Sequence, residues 1–168
     1  KKGFLVTTKD IQGRPNIFDE IKLNFNKRLI SIGRLDFNSE GLLLLTNNGD
    51  FARKLELPQN KFQRTYKVRI FGIIDNKIKD KLKNGIIVNG IKYKPIELEL
   101  EEGKGKNRWL TMRLYEGKNR EIRKIMDHFG CTVNRLIRIS YGPFNLKDLK
   151  PGQLTELRYK TFNKLLKS

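Results

Sequence analysis

A chain of 168 residues with 38% hydrophobic content, 10 Phe and 5 Tyr can bury the core of one domain, which excludes a disordered chain. Its 36 Lys plus Arg against 18 Asp plus Glu give a net charge of +18, a self-repulsion that points to a polyanionic partner. One cysteine, Cys131, and one histidine, His128, exclude an internal disulfide and a zinc or iron–sulfur ligand set.

The elements follow in chain order. Gly3–Thr8 is expected to be a short strand, and Lys9–Pro15 a polar turn. Asn16 can cap a helix running to Asn24, with Ile17, Phe18, Ile21 and Phe25 on one face. Leu29–Ile32 reads as a strand that leads into a polar loop. Leu42–Thr46 follows it, a leucine run too short for a membrane span and expected to be a strand buried on both faces. Asp50 is expected to cap a helix from Phe51 to Leu57, stopped by Pro58.

Phe62–Phe71 alternates as a half-buried strand, with Tyr66, Val68 and Ile70 facing inward. Asp75 caps a basic helix that ends near Gly85. Asn89-Gly90 between two apolar triplets is a hairpin turn. Ile96–Glu101 and Arg108–Tyr115 read as strands joined by a basic turn, Gly103–Lys106. A helix over Arg120–Phe129 closes at Gly130, with Ile122, Ile125, Met126 and Phe129 on its apolar face. Arg120, Arg123 and Lys124 form a basic stripe on it. Val133–Tyr141 and Gly152–Leu157 are read as strands, followed by a short terminal helix.

Arginine is concentrated between Arg108 and Arg138, which favours nucleic acid over an anionic membrane; no basic amphipathic helix of useful length accompanies it. No signal peptide or membrane span is visible, so a cytoplasmic location is expected. The chain begins with Lys, and its natural start is expected to lie upstream.

The polar loop between Gly33 and Gly41 holds Arg34, Asp36 and Glu40 at the mouth of the core. Asp36 there is either a loop-capping carboxylate or a reactive one; spacing alone favours the first. A calcium loop is excluded, because its later ligands would fall on Leu42–Leu45 and its twelfth position is Asn47. Metal-dependent phosphodiester chemistry needs converging carboxylates, and the acidic residues here are scattered.

Five segments in order read GRPNIFDEI from Gly13, GRLDFNSEGLLLLTNNG from Gly33, RTYKVRIFG from Arg64, EGKNREIRKI from Glu116 and RLIRISYG from Arg135. Over roughly residues 3–160 the chain resembles the ribosomal RNA pseudouridine synthases of the RsuA/RluB branch, nearest to the B-type enzymes that act on large-subunit RNA. The resemblance implies an α+β fold with a twisted, mostly antiparallel mixed sheet and flanking helices. It makes residues 1–168 a catalytic domain, expected to lack the family's opening strand with its Asn-Lys-Pro motif and its S4-type RNA-binding domain.

It also implies the chemistry. Uridine in ribosomal RNA, 23S by the B-type likeness, would be isomerised to pseudouridine with no cofactor. Asp36 matches the catalytic aspartate. Arg123 matches the basic residue expected to hold it ionised through a charge-assisted contact; by pattern alone it belongs to a solvated helical stripe. Tyr66 matches the active-site tyrosine and Leu136 an apolar pocket residue, although both positions also suit plain core packing. Arg34 is read equally as an RNA-backbone contact or as a loop salt bridge to Glu40. Lys118, Asn119, Arg120 and Arg138 are expected to contact RNA. The implied partner is ribosomal RNA or an assembly intermediate, bound by a monomer with no membrane. The rivals are a non-catalytic RNA-binding or ribosome-assembly protein on the same fold, and a metal-dependent ribonuclease.

Overall fold

The computed structural model describes residues 3–7, 12–22, 28–101 and 105–158. Among these residues fifteen short elements follow one another. They are α1 (Ile17–Lys22), β1 (Ile30–Ile32), β2 (Glu40–Gly41), β3 (Leu44–Thr46), α2 (Gly49–Glu56), a 3₁₀ turn at Pro58–Asn60, β4 (Arg64–Phe71) and α3 (Asn76–Lys83). Then come β5 (Ile86–Val88), β6 (Ile91–Tyr93), β7 (Glu97–Leu100), β8 (Asn107–Leu114), α4 (Glu121–His128), β9 (Thr132–Tyr141) and β10 (Phe144–Asn145). Among the described residues no helix is long and apolar enough to cross a membrane.

The main sheet runs β10-β9-β4-β8-β7, antiparallel throughout, and β2 adds to β9 in parallel. Two smaller pairs, β1-β3 and β5-β6, complete it. This is the expected α+β class with a mostly antiparallel mixed sheet. Alternation along β4 places Val68 and Ile70 in the main core with Leu110, Met112, Ile125 and Met126. Burial of such side chains stabilises by roughly 1.5–3 kcal/mol each. A second core gathers Ile32, Leu42, Leu44, Leu55 and Tyr141 beside the polar loop.

Most expected elements form. Asn16 accepts from the Asp19 N–H at 3.0 Å and caps α1. Asp75 caps α3 through the Ile78 N–H. Asn89 and Gly90 take φ of 49° and 76°, the left-handed pair a two-residue hairpin requires.

Four expectations are corrected. Of Gly3–Thr8, the described residues 3–7 form no strand: Leu5 makes one parallel bridge to Asn16, and its backbone bonds go to Pro15 and Ile17. The leucine run is not buried on both faces. Leu42 and Leu44 point into the second core, while Leu43 and Leu45, on the alternate face, are half-buried. The cap of α2 is Asn48, whose side chain accepts from the Phe51 N–H; Asp50 sits inside the first turn. Gly152–Leu157 forms no strand and is exposed throughout. The chain instead folds back at once after Gly142-Pro143 as β10 on β9. Thr8, Lys9–Ile11, Asn24, Phe25, Gly103-Lys104 and the terminal helix lie outside the described residues.

Candidate active site

Strand β9 carries the site. On one edge Ile137 and Arg138 pair in parallel with Glu40 and Gly41, the end of the polar loop. On the other edge Arg138 pairs with Tyr66, next to a register shift between Thr65 and Tyr66. Such a bulge re-aims side chains. The loop bearing Asp36 and the strand bearing Tyr66 therefore meet on either side of Arg138.

The loop is fixed by its own backbone and by three arginines. The Asp36 carbonyl accepts from the Ser39 N–H at 2.8 Å, closing a turn, and Asp36 is half-buried. Gly33 N–H donates to the Glu56 carboxylate at 2.6 Å. Gly41 has φ of +106°, and a Cβ there would lie 2.2 Å from the Arg138 carbonyl oxygen, so only glycine lets β2 approach β9. Arg138 Nε donates to the Leu42 carbonyl at 2.8 Å and Nη1 to the Arg34 carbonyl at 3.3 Å, which ties the two ends of the loop together. Arg135 grips the Glu40 carboxylate bidentately at 2.8 and 3.0 Å. Arg123 Nη2 donates to the Asn38 carbonyl at 2.8 Å, and its Nη1 to the Val133 carbonyl at 2.9 Å.

These bonds change three expected roles. Arg123 makes no ion pair with Asp36; it grips the loop two residues further on, because its guanidinium is occupied by two carbonyls. Burial pushes the Arg123 pKa down, the nearby Arg120 adds to this, and the charge of Asp36 opposes it. Arg138, expected at an RNA surface, is only 2% exposed and stacks 5.3 Å over the Tyr141 ring. Glu40, one suggested partner of Arg34, is held by Arg135, and Arg34 is exposed.

A cavity of about 390 Å³ opens beside the loop, at the small end of the roughly 300–1,000 Å³ range of ligand sites. Arg34 and Asp36 line one wall, and Tyr66 and Leu136 line it from the sheet. Lys118, Asn119 and Arg120 line it from the segment before α4. Asp36, Tyr66, Leu136, Arg34 and this segment are thus brought together, while Arg123 lies outside, lining a second cavity with Arg120 and Lys124. Asn119 and Arg120 are exposed. Lys118 is less free than expected: its ammonium bonds the Lys92 carbonyl, lies 3.1 Å from Glu116 and sits over the Tyr93 ring.

Arg64, Glu116, Glu121 and Tyr141, to which sequence reading gave no role at the site, also line this cavity. Arg64 Nη2 donates to the Tyr141 hydroxyl at 2.7 Å, and that hydroxyl donates to the Leu55 carbonyl at 3.0 Å. Glu116 and Glu121 are buried side by side. Burial, opposed by the Lys118 N–H and reinforced by Glu116, raises the Glu121 pKa to about 7. Burial also works against the Glu116 carboxylate, but the Lys94 N–H and Lys118 outweigh it and hold that pKa low. The available signal was position: Glu121 falls four residues before Ile125, on the apolar face of α4.

A family model described as RNA pseudouridylate synthase matches residues 1–128. A Rickettsia bellii protein named as an uncharacterized RNA pseudouridine synthase is 49% identical over 95% of the chain and 69% of the relative. A protein named ribosomal large subunit pseudouridine synthase B from Buchnera aphidicola is 42% identical over 98% of the chain and 67% of the relative. Its namesake from Yersinia pestis is 39% identical over 98% of the chain and 52% of the relative. The fold is that of a crystal structure titled pseudouridylate synthase, with a TM-score of 0.86 at 24% identity, over 98% of this chain and 70% of that one. With a family model over most of its length and close relatives that bear the same name, the chain belongs to the RNA pseudouridylate synthases, a family of isomerases.

Proposed function

We propose that this protein isomerises a uridine of large-subunit ribosomal RNA to pseudouridine, with Asp36 as the reacting carboxylate. The observation that carries the reading is the position of Asp36, in an arginine-clamped loop at the edge of a cavity that Tyr66 also lines. The large-subunit target is supported by relatives that carry that name.

The reaction breaks the bond between ribose C1′ and uracil N1, turns the base and joins C1′ to C5. The C5 proton leaves and N1 gains one, so atoms balance without oxidant or cofactor. Asp36 serves either as the nucleophile at C1′ or as the base that opens a glycal route. Tyr66 offers a ring face to the uracil and a hydroxyl to the moving proton. Leu136 supplies an apolar surface beneath the base.

The glycosidic bond of a stacked uridine is hidden, so the nucleotide must be extruded, at about a few kcal/mol. Exposed Arg34, Asn119 and Arg120 around the cavity support backbone contacts that offset part of this cost. The same reading has the protein act as a monomer on ribosomal RNA in the cytoplasm. The test is Asp36→Asn: pseudouridine formation is lost while binding to a large-subunit RNA transcript persists. A fully active Asp36→Asn protein would instead mark a binding protein that shares the fold.

A further inference from the structure

Between β8 and α4 the segment Glu116–Arg120 forms the cavity wall that closes on the Asp36 loop. Its anchorage is unusual. Glu116 is 8% and Glu121 4% exposed, and the two carboxyl groups lie within hydrogen-bonding reach of each other. Glu121 Oε2 accepts from the Lys118 N–H at 2.9 Å, while its Oε1 is buried without a donor. Glu116 Oε1 accepts from the Lys94 N–H at 2.7 Å, and the Lys118 ammonium lies 3.1 Å from its other oxygen. Two buried carboxylates so placed repel, and a buried oxygen without a donor is unfavourable. A single proton resolves both problems: carried by Glu121, it lets Oε1 donate to the Glu116 carboxylate.

We propose that Glu121 is a positioning residue, whose carboxyl proton, shared with Glu116, locks the Gly117–Arg120 wall against the cavity and sets how well the site holds RNA as pH rises. This inference rests on the site proposed above and goes beyond its assignment of Asp36. The groups facing Glu121 are Glu116 and Lys118 from the same segment and Tyr93 from β6. Tyr93 is itself pushed up by burial and by Glu121, so it stays a neutral phenol through the neutral range. The Lys118 ammonium is held by the Glu116 carboxylate and the Lys92 carbonyl, and Glu121 is the group raised to near neutrality. Loss of its proton sets two carboxylates against one lysine, and the wall loosens.

The linkage sign follows from direction. The Glu121 pKa is raised in the fold to about 7, so its proton's contribution to stability is complete at acid pH and is lost as pH rises through about 7. The Glu116 pKa is lowered, so its own contribution fails only at acid pH and does not overlap.

The experiment measures KM for a large-subunit ribosomal RNA transcript, and Tm, from pH 6 to pH 9 at constant ionic strength, in the wild type and in Glu121→Gln. The amide donates to Glu116 at every pH, as the protonated acid does. Wild-type KM is expected to rise about fivefold or more across the range, with a smaller change in kcat, while Glu121→Gln stays within about twofold. The wild-type Tm falls more steeply over that range than the variant's. Parallel KM and Tm profiles in the two proteins would overturn the proposal. Should Glu121→Gln fail to fold, the Glu121 carboxyl carbon is followed by NMR in the wild type: titration near 7 upholds the proposal, and titration in the ordinary carboxylate range overturns it. Asp36→Asn separates this inference from the assignment of the reacting group, since it removes activity at every pH while keeping the wild-type dependence of Tm.

Discussion

Arg123 donates to the main-chain carbonyl of Asn38 at 2.8 Å, and so reaches the loop of Asp36 through its backbone and not through the carboxylate. With its other nitrogen on Val133, it bolts the loop to the start of β9. Arg123→Ala is expected to lower kcat by about a hundredfold through misplacement of Asp36, with a smaller change in KM. Lys carries one compact ammonium and cannot span two carbonyls, so Arg123→Lys recovers little of this. Steady-state kinetics on the RNA transcript checks both; a Lys variant as active as the wild type would show that charge alone suffices.

Arg138 clasps both ends of the same loop from inside the protein. Arg138→Ala leaves the Leu42 and Arg34 carbonyls without their donor and opens a void against Tyr141. A loss of about 3 kcal/mol in urea unfolding is expected, together with a fall in kcat. Arg138→Lys retains packing and loses one bond, so it costs about half as much.

Gly41 is required by the approach of β2 to β9. Gly41→Ala drives a methyl to within 2.2 Å of the Arg138 carbonyl, at a φ of +106° that L residues avoid. It is expected to destabilise by more than about 3 kcal/mol, or to detach the loop, which circular dichroism melts and kinetics report together. The same substitution at Gly49, whose Cβ would meet nothing within 4 Å, is expected to change stability by less than about 1 kcal/mol.

The start of α2 offers a matched pair. Asn48→Ala removes the side chain that accepts from Phe51 and costs about 1 kcal/mol. Asp50→Ala removes only a favourable charge near the helix N-terminus, worth a few tenths of a kcal/mol to about 1 kcal/mol on the exposed surface. Urea unfolding of the two variants ranks them.

Local signals made much of the fold legible. Asn89-Gly90, Asp75 and the alternation through Tyr66, Val68 and Ile70 each encode their structure within a few residues. Motif order placed Asp36, Tyr66, Leu136 and Lys118–Arg120 around one cavity. What failed depended on partners distant in sequence. Nothing near Arg138 shows that its side chain turns inward to Leu42 and Arg34, or that Arg123 takes a carbonyl 85 residues away. Gly152–Leu157 pairs with no described strand, and the α2 cap moved to Asn48 because two polar residues on either side of Gly49 could each begin the helix. Glu121 was passed over because a carboxylate near a helix start reads as solvated, whereas packing buries it against Glu116.

The central claim concerns one carboxylate and one carbon–hydrogen bond. Large-subunit ribosomal RNA transcribed with tritium at uracil C5 releases that tritium to water when C5 replaces N1 on the ribose. The wild-type protein is predicted to release it to a plateau of whole uridines per RNA, and Asp36→Asn to release none while it binds the same RNA. No release by the wild type, or equal release by both proteins, would contradict the account.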